Sequence, residues 1–596
     1  MGEVCEYHRV KRNLDSTRYR EKVIWLHLQI LKELINNGLN VARLNFSHGT
    51  HEEHLARINI IKELRKELNL PIAIMLDTKG PEIRTGNFEN GCVDLVKDQE
   101  YIITSRDIVG NDKICNVTYD KIALDLNIND TILIDDGLIS MSVIEVINET
   151  DLKCKVNNAG QIKNKKGVNI PNVKINLPSL TEKDVDDIVF GIENEIDFIA
   201  ASFIRKAVDV IEIRKVLEAN NAEYIHIISK IENREGVDNI DEIIKVSDGI
   251  MVARGDLGVE IPAEEVPLAQ KLMIEKCNIA GKPVITATQM LDSMMRNPRP
   301  TRAEVSDVAT AIFEGSDAIM LSGETAAGKY PVESVKTMAN IAEKIEASLN
   351  YDELFGTKFK GADNTITNAI SMSTCRTAST LNATAIITAT ASGFTATSVS
   401  KFRPKAPIIA ATNSDKVMRR LALVWGVYSV KTDKFNLTDE VIDVSVQKSL
   451  ESGFINNGDL VVITAGVPVG VAGSTNLIKV HVVSELLYKK VGVGNATVVG
   501  RACVGKSFED INGKFIEGDI LVVPVTDKDL IPFMEKASAV ITEEGGLTSH
   551  AFIAGMNFGI EVVVGAENAT QIIIDGEILT VNGSRGVIYR GEARVL

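Results

Sequence analysis

The chain has 596 residues, of which 45% are hydrophobic and 24% are charged, and its formal net charge is −16. This length exceeds what one hydrophobic core supports, so we expect several domains. The acidic balance argues against nucleic acid as a partner, and no apolar run approaches the ~18 residues that span a membrane. Seven cysteines without a C-x-x-C pair give neither a zinc signature nor a disulfide framework, which predicts a cytoplasmic location.

Residues 40 to 330 repeat one pattern, in which a short apolar run ends in polar, glycine-containing sequence and a helical stretch usually follows. The runs are NVARLNFSHG, IAIMLDTKG, DFIAASF, HIISKIEN, GIMVARGDLG, PVITATQM and AIMLSGET. Apolar strands alternating with helices predict a parallel sheet that is buried on both faces. Polar residues at the ends of so many strands favour a (β/α)8 barrel over a doubly wound sheet, although only seven strands are evident.

Three further segments differ from the barrel units in their pattern of apolar runs and turn residues. Residues 86–175 contain short β-type runs with Gly and Asn at the turns, which predicts a small β domain folded out of one barrel loop. After residue 355, apolar runs alternate again with helical stretches and predict a separate α/β domain. A β-rich module follows from about residue 490 and contains the stretch EGGLTSHAFIAG.

The first cluster of candidate site residues lies in ARLNFSHG. A strand period of two places Arg43, Asn45 and Ser47 on one face, with Leu44 and Phe46 on the other. A guanidinium beside two neutral oxygen donors suits a phosphate next to a hard cation. The alternative interpretation of this stretch is an ordinary polar turn between a strand and a helix.

Later strands add carboxylates and a lysine. The run IAIMLDTKG ends in Asp77 and Thr78, which supply two more oxygen donors. In SKIEN, Lys230 and Glu232 share a face, and they could alternatively form a structural ion pair. Asp256 of ARGDLG could complete a divalent-metal site with Glu232, because Mg²⁺ typically uses one or two carboxylates and leaves its other positions to water and substrate.

The glycine-rich turn in ARGDLG also exposes backbone N–H groups that suit a carboxylate or a phosphate. Thr288 in TATQM offers a hydroxyl from the next strand. Cationic side chains, a metal and few groups for covalent chemistry together predict phosphoryl transfer.

These motifs resemble those of pyruvate kinase. They are ARLNFSHG, LDTKGPEIRTG, SKIEN, MVARGDLGVEIP, TATQMLDSM, RPTRAEVSDVA and IMLSGETAAGKYPVE, and the resemblance spans about residues 31–485. The resemblance implies a glycolytic enzyme that transfers phosphate from phosphoenolpyruvate to ADP and yields pyruvate and ATP. It also implies dependence on Mg²⁺ (or Mn²⁺) and K⁺.

The resemblance implies roles for individual residues. Lys230 would stabilise the moving phosphoryl group, and Arg43 would contact phosphate. The backbone amides of Gly255 and Asp256 would receive the substrate carboxylate with the Thr288 hydroxyl, which would also lie near the proton delivered to the enolate. Mg²⁺ would be held by Glu232 and Asp256, and K⁺ by Asn45, Ser47, Asp77 and Thr78.

The nucleotide side would include Asn45, His48, Arg84 and Lys166 by the same resemblance. Glu82 in GPEIRTG matches the K⁺-dependent members of the family, because a lysine there is typical of K⁺-independent members. The ammonium group of such a lysine would itself supply the positive charge that K⁺ otherwise provides.

The domain after residue 355 resembles the family's regulatory domain. The stretch TASGFTA would form an effector loop for a sugar phosphate or AMP, and GVPVGVAGSTN would be its second glycine-rich segment. The loop donors would be Thr390, Ser392, Gly393 and Thr395. Phe394 stands where some relatives carry a basic residue, so the identity of the effector stays open, and ordinary α/β turns are the alternative. The family also implies a homotetramer.

The predicted fold is α/β, with four parts. Residues 1–79 and 177–350 form a (β/α)8 barrel, and residues 80–176 form an inserted small β-barrel domain, or lid. Residues 355–487 form an α/β regulatory domain, and residues 490–596 form an additional β-rich domain.

The amino-terminal stretch departs from the family pattern. The family begins with an apolar strand that runs into Gly-Pro-Ala-Ser, whereas residues 15–28 here read DSTRYREKVIWLHL. We hypothesise that residues 1 to about 30 come from a frameshifted or misassembled reading frame; alternatively, KVIWLHL fills the gap. A catalytically impaired relative or a sugar-phosphate-sensing binding protein are the corresponding alternative functions. Two smaller departures are Thr310 and Glu314, which replace Asn and Asp.

The stretch GGLTSHAFIAG resembles the phosphohistidine domain of enzymes that use phosphoenolpyruvate. In that domain the histidine at the position of His550 is phosphorylated. The predicted barrel already holds a set of groups for direct transfer, so we expect a silent, structural or regulatory role for a vestigial His550. A phosphohistidine-relay dikinase is the alternative, but it would need an ATP-grasp domain, which nothing in the sequence resembles.

Overall fold

The computed structural model describes residues 2–6, 28–360, 363–433, 438–467 and 475–593. None of the helices within these ranges has both the length and the apolar character needed to cross a membrane. The chain forms two compact units. The first comprises Met1–Asp363, Ser400–Arg403 and Ser414–Ser429, and the second comprises Asn364–Val399, Pro404–Asn413 and Val430–Leu596.

The first unit contains the barrel and the inserted domain. Its strands are β1 (Gly2–Glu6), β2 (Leu39–Asn45), β3 (Ala73–Asp77), β4 (Cys92–Leu95), β5 (Glu100–Thr104), β6 (Ile114–Asn116), β7 (Thr131–Ile134), β8 (Ile139–Val146), β9 (Asp151–Val156), β10 (Gly160–Lys163), β11 (Val168–Asn169), β12 (Phe198–Ala201), β13 (His226–Ile231), β14 (Gly249–Ala253), β15 (Val284–Ala287) and β16 (Ala318–Leu321). The helices are α1 (residues 28–36), α2 (His51–Leu68), α3 (Ile122–Asp125), α4 (Glu182–Glu193), α5 (Ala207–Ala219), α6 (Arg234–Asp238), α7 (Ile240–Val246), α8 (Arg254–Glu260), α9 (Val266–Ala280), α10 (Arg302–Glu314), α11 (Gly323–Ala326), α12 (Pro331–Glu346) and α13 (Tyr351–Lys360).

Eight parallel strands close into a barrel in the order β1–β16–β15–β14–β13–β12–β3–β2, which confirms the predicted fold. The expectation that one strand is missing was wrong, because β1 pairs in parallel with both β2 and β16. Residues 22–27 of the alternative strand KVIWLHL lie outside the described residues, and Leu28 begins α1. A short backbone segment that fits both edges is enough for closure, so the described strands leave no open edge in the barrel.

The barrel interior is layered along its axis. Its apolar layer consists of Val41, Ala73, Met75, Phe198, Ala200, Ile228, Met251, Ile285, Ala287, Ala318, Met320 and Leu423. Arg43, Asp77 and Lys230 each follow a member of this cluster by two residues, so strand alternation places them above it on the same face. Leu44 and Phe46 pack in the separate apolar cluster between strands and helices, which confirms the face predicted for ARLNFSHG.

The segment between β3 and α4 forms the predicted β domain. A six-stranded sheet has the order β11–β7–β8–β9–β5–β6, and β4 pairs with β10 in a second, two-stranded sheet. An apolar core of its own includes Tyr101, Ile132 and Met141, all fully buried. The insertion is therefore a separately packed body that grows from one barrel loop.

The elements after residue 363 begin the α/β domain and continue into the β-rich module. The strands are β17 (Ala385–Ala389), β18 (Ile408–Thr412), β19 (Val427–Lys431), β20 (Leu460–Ala465), β21 (Leu477–Val482), β22 (Leu486–Lys489), β23 (Val491–Val493), β24 (Thr497–Val504), β25 (Ile520–Val523), β26 (Ala539–Thr542), β27 (Glu561–Val564), β28 (Ile578–Asn582) and β29 (Val587–Arg590). The helices are α14 (Ile366–Thr380), α15 (Phe394–Ser400), α16 (Asp415–Leu421), α17 (Thr438–Glu451), α18 (Phe508–Asn512), α19 (Ile531–Met534), α20 (His550–Phe558) and α21 (Ala569–Ile572). The two sheets have the orders β19–β18–β17–β20–β21 and β22–β29–β28–β24–β25–β26–β27–β23.

Aspartates mark the amino ends of alternate barrel strands. Each accepts a hydrogen bond from a backbone N–H of a neighbouring strand: Ile74 to Asp197 (2.9 Å), Ile227 to Asp248 (2.8 Å) and Val284 to Asp317 (3.1 Å). Each also pairs with arginine: Asp197 with Arg65 and Arg419, Asp248 with Arg214, and Asp317 with Arg403. Charge-assisted hydrogen bonds therefore fix the strand register at the end of the barrel opposite Arg43, Asp77 and Lys230.

His226 lies at this same end of the barrel. Its surroundings predict that the free energy of unfolding depends on pH. The Arg420 guanidinium donates to Nε2 at 2.8 Å, so this nitrogen must keep its lone pair and the ring must be neutral. Burial, followed by the nearby arginine charges, lowers the pKa of His226 to about 4 against the opposing charge of Asp248. An unfolded histidine titrates near 6.5, so this stabilising contribution is complete above about pH 6.5 and is lost as the pH falls toward 4.

We therefore expect the thermal unfolding midpoint of the unmodified chain to fall more steeply between pH 7.5 and 5 than that of a His226→Gln variant. The difference corresponds to a stability change on the order of 1 kcal/mol. Calorimetry of both proteins across this range measures it. Parallel pH profiles of the two midpoints would contradict the assignment.

Candidate active site

A cavity of about 720 Å³ opens at the carboxyl ends of the barrel strands and is also lined by residues of the inserted domain. Most of the predicted site residues meet there: Arg43, Asn45, Ser47, His48, Asp77, Arg84, Lys166, Lys230, Glu232 and Asp256. Residues more than 200 positions apart in the chain therefore share one site, because parallel strands bring their carboxyl ends to the same end of the barrel.

Lys230 stands at the floor of this cavity among acceptors. Its Nζ lies 2.9 Å from a Glu232 oxygen, 3.2 Å from Asp77 Oδ1 and 2.8 Å from Ser202 Oγ. Burial favours the neutral amine, but the charges of Asp77 and Glu232 outweigh it and raise the pKa of Lys230 above its ordinary value. The surrounding acceptors therefore favour the charged ammonium and hold it in place.

Asp77 joins two cations in this cluster. Its Oδ2 accepts from the Arg43 guanidinium, and its Oδ1 accepts from Lys230 and from the Ser202 hydroxyl at 3.1 Å. Arg43 and Asp77 are both buried. The carboxylate thus neutralises part of the positive charge that the cavity floor would otherwise carry, and it fixes both cations in place.

Glu232 and Asp256 form the acidic side of the site. Glu232 is buried, and one of its oxygens accepts from the Phe203 N–H at 2.6 Å. Burial raises the pKa of Glu232, with a smaller upward contribution from Asp256 and an opposing one from Lys230. Asp256 is exposed in the first turn of α8. A divalent cation beside these carboxylates would relieve their repulsion, so the donor set fits Mg²⁺ with water and substrate as its other ligands.

Three of the predicted residues, Thr78, Gly255 and Thr288, are not among the residues that line the cavity. The Thr288 hydroxyl donates to the carbonyl of Ala287 at 2.6 Å and accepts from the Gly255 N–H at 2.7 Å. The amide that was expected to receive a substrate carboxylate is therefore engaged by Thr288 in this structure. Among the residues that the structure describes, no group of three or more His, Cys, Asp or Glu side chains could hold a metal ion.

The turn that carries Thr288 has an unusual backbone. Thr288 and Gln289 have φ values of 70° and 54°, in the left-handed region that a β-branched residue rarely adopts. Arg254 holds this turn through its NH2 group, which donates to the Thr288 carbonyl at 2.8 Å. The same guanidinium binds Asp307 of α10 through both nitrogens, at 2.6 and 2.7 Å. A bidentate ion pair thus fixes a strained turn beside the site.

The predicted K⁺ donors lie at or just after the carboxyl ends of two adjacent strands. Asn45 and Asp77 are register partners of β2 and β3, and the Asn45 side-chain oxygen accepts from the Ser47 N–H at 3.0 Å. The Thr78 hydroxyl donates weakly to the Ala200 carbonyl at 3.4 Å. Because Asp77 is already paired with two cations, the donors carry little net negative charge. This set fits a monovalent cation better than a divalent one.

The residues assigned to the nucleotide side all line this cavity. Arg84 donates to Glu82 at 2.6 Å and to the carbonyl of Lys165 at 2.8 Å, and Lys166 pairs with Asp135 at 2.8 Å. His48 is exposed at the cavity. Local acceptors thus hold the Arg84 and Lys166 side chains.

Sequence reasoning missed two groups that complete the cluster. Ser202 links Lys230, Asp77 and, at 2.7 Å, the carbonyl of Thr78, while the Phe203 N–H holds Glu232. Both follow the apolar run FIAA directly, so the rule that polar residues at strand ends build the site could have found Ser202.

The two departures in α10 have local explanations. The Thr310 hydroxyl donates to the Ser306 carbonyl one turn earlier, at 2.8 Å. Glu314 accepts from Gln270 of α9 at 2.7 Å. Both side chains therefore find partners within the barrel helices.

The candidate effector loop lies in the second unit. The Gly393 N–H donates to Thr390 Oγ1 at 2.9 Å, and the Thr395 and Thr475 hydroxyls lie 3.1 Å apart. Ser392 is exposed at the turn. Residues 468–474 of the second glycine-rich segment lie outside the described residues, so a role in effector binding stays a prediction.

His550 begins α20, directly after its N-cap Ser549. Its Nδ1 lies 2.8 Å from the hydroxyl of Thr526, and the ring is half-buried. The histidine is thus oriented by a neutral partner.

Comparison with known proteins agrees with this architecture. Residues 26–335 match the family described as "Pyruvate kinase, barrel domain", and residues 368–481 match "Pyruvate kinase, alpha/beta domain". Residues 515–586 match "PEP-utilising enzyme, mobile domain".

Curated relatives match over nearly their whole length. A pyruvate kinase of Geobacillus stearothermophilus is 57% identical, with 95% of this chain and 97% of the relative covered. A pyruvate kinase of Bacillus licheniformis is 54% identical at the same coverage. The crystal structure of a pyruvate kinase from Cryptosporidium parvum matches with a TM-score of 0.74 and 39% identity, covering 81% of this chain and 96% of that chain. The chain therefore belongs to the pyruvate kinase family.

Proposed function

We propose that the barrel cavity is where this enzyme transfers the phosphoryl group of phosphoenolpyruvate to ADP, giving pyruvate and ATP. The observation that carries the proposal is the buried Lys230 ammonium, fixed between Asp77, Glu232 and Ser202. A fixed cation in a water-poor site stabilises charge that spreads over phosphoryl oxygens in the transition state. Arg43 adds a second cation beside it.

The proposed reaction breaks the bond between phosphorus and the enol oxygen, whose electron pair stays on that oxygen. A β-phosphate oxygen of ADP forms the new bond to phosphorus. The enolate then takes up a proton at its methylene carbon, close to the Thr288 hydroxyl, and becomes pyruvate. Lys230 and Arg43 hold the moving group, and the protein forms no covalent bond to it.

Two cations complete the proposal. Glu232 and Asp256 would hold Mg²⁺ (or Mn²⁺), which supplies charge neutralisation on the phosphoryl oxygens when bound. Asn45, Ser47, Asp77 and Thr78 would hold K⁺. Arg84, Lys166 and His48 would meet the nucleotide, because they line the wall of the same cavity.

The finer parts of the proposal are supported by the family resemblance alone. They are a glycolytic role in the cytoplasm, a homotetrameric assembly, and activation by a sugar phosphate or AMP at residues 390–395. The competing idea of a catalytically impaired relative depended on a missing barrel strand, and the closed barrel removes its basis.

Lys230→Met tests the central role. We expect kcat to fall by about 10³-fold, because one preorganised cation is removed from the transition state. The coupled assay follows pyruvate formation from phosphoenolpyruvate and ADP with Mg²⁺ and K⁺. Lys271→Met, at an exposed lysine of α9, serves as the matched control and should keep full activity. Circular dichroism checks folding, and undiminished turnover in a folded Lys230→Met protein would remove the assigned role.

Glu82→Lys tests the K⁺ requirement. A lysine at this position would bring its own positive charge to the cavity wall, so we expect turnover without K⁺ to rise at least tenfold. Assays in tetramethylammonium and in potassium salts measure the ratio. Glu89→Lys, at an exposed site, is the control. If the Glu82→Lys protein kept the K⁺ dependence of the unmodified chain, this assignment would fail.

His550→Ala tests whether the histidine of the β-rich module takes part in phosphoryl transfer. Because the barrel groups suffice for direct transfer, we expect kcat to change by less than about twofold. The same coupled assay applies, with unfolding temperature as the control for damage to the β-rich module. Loss of turnover in a folded variant would instead support a phosphohistidine relay.

A further inference from the structure

Helix α4 lies behind the segment that carries two of the predicted K⁺ donors. Lys183 Nζ donates to the carbonyl of Phe46 at 2.9 Å, and Phe46 is the residue between Asn45 and Ser47. Lys183 is itself held by Asp187, one turn later on the helix. The turn of the donor segment is therefore tied to α4 through a backbone carbonyl.

Asp187 is a buried anchor for this contact. It is only 1% exposed, and it also binds His51 Nε2 at 2.7 Å. The His51 ring stacks on Phe190 of α4, with their centroids 4.2 Å apart. A buried carboxylate with charged and hydrogen-bonding partners holds its neighbours rigidly. Asp187 thus fixes the Lys183 ammonium at the Phe46 carbonyl.

The same helix holds the second donor segment through Asp184. This residue is fully buried, and its Oδ1 accepts from the Gly80 N–H at 3.0 Å, two residues after Thr78. Its Oδ2 accepts from the backbone and hydroxyl of Thr181, at 3.0 and 2.6 Å. Gly80 has a φ of 70°, and a Cβ there would lie 2.9 Å from the Ser202 side chain. Any side chain at position 80 would therefore collide with Ser202, so the segment packs closely there only because residue 80 is a glycine.

We propose that the first two turns of α4 set the spacing between the two K⁺ donor segments, and with it the affinity for K⁺. This α4 clamp consists of Lys183, Asp184 and Asp187, which are positioning residues and touch no substrate. The inference rests on the proposed function, since it concerns the K⁺ site of that reaction.

The physical basis is the low charge of the donors. Asp77 is shared with Arg43 and Lys230, so K⁺ must be held largely by the geometry of neutral oxygens. Such donors bind a weakly hydrated cation only when several reach it together. A helix that ties one segment by its carbonyl and the other by its amide meets this requirement without supplying a ligand.

Lys183→Met is the decisive variant. Half of the Lys183 side chain is exposed, so the variant keeps the core intact. We expect the K⁺ concentration for half-maximal activity to rise about tenfold, which is the effect of one lost charge-assisted hydrogen bond. The value of kcat at saturating K⁺ should change by less than twofold, and Lys183→Arg should restore the K⁺ dependence.

A second readout needs no turnover. Cation binding to the folded state stabilises it by RT ln(1 + c/Kd), where c is the K⁺ concentration, and so raises the thermal unfolding midpoint. The substrate-free protein is therefore titrated with KCl at constant ionic strength, with tetramethylammonium chloride as the replaced salt. We expect the midpoint curve of Lys183→Met to move to about tenfold higher K⁺.

Asp187→Asn provides an independent variant, because it removes the negative charge that holds Lys183 and leaves Lys183 in place. It should show the same shift in both readouts. Its matched control is Asp186→Asn, at the neighbouring exposed position whose side chain is 78% accessible, and this control should behave like the unmodified chain.

Unchanged K⁺ dependence of both Lys183→Met and Asp187→Asn, in folded protein, would overturn the proposal. A kcat loss that saturating K⁺ does not restore would also overturn it, since that result indicates general damage to the site. If the unmodified chain failed to convert phosphoenolpyruvate and ADP, the proposed function would fall. The midpoint titrations would still decide whether α4 governs K⁺ binding.

Discussion

The structure of the site depends on four buried charges that compensate one another. Arg43 and Lys230 face Asp77 and Glu232 at the floor of the cavity. Strands β2, β3 and β13 carry Arg43, Asp77 and Lys230, and Glu232 directly follows β13. None of these charges could be buried alone, because removing an isolated ion from water is far costlier than removing a paired one. The pairs therefore hold the strand ends together, and they fix the positions of the two cations before any substrate arrives.

The two ends of the barrel use charge in different ways. At the carboxyl end the charged groups face an open cavity, and at the amino end the aspartates accept from backbone amides and arginines. An apolar layer separates the two ends. Stability and chemistry thus come from different layers of the same strands. The carboxyl-end layer can therefore hold side chains in positions that serve the reaction, even where other positions would give a more stable protein.

The sequence predicted the parts of this site that follow from local periodicity. Arg43, Asn45 and Ser47 share a face because a strand alternates, and Lys230 and Glu232 do so for the same reason. The closing strand β1, which pairs with β2 and β16, was missed because its five residues include two glutamates and therefore form no apolar run. The engagement of the Gly255 amide by Thr288 could not be predicted either, because it depends on a left-handed turn that threonine does not signal.

That turn stores backbone strain next to the site. A threonine held in the left-handed region costs on the order of 1–3 kcal/mol of stability, and here Arg254 and Asp307 hold it in place. Glycine would relieve this strain but would remove the hydroxyl beside the site. A glycine at position 288 would therefore favour the stability of the turn, whereas threonine favours the chemistry proposed for the site.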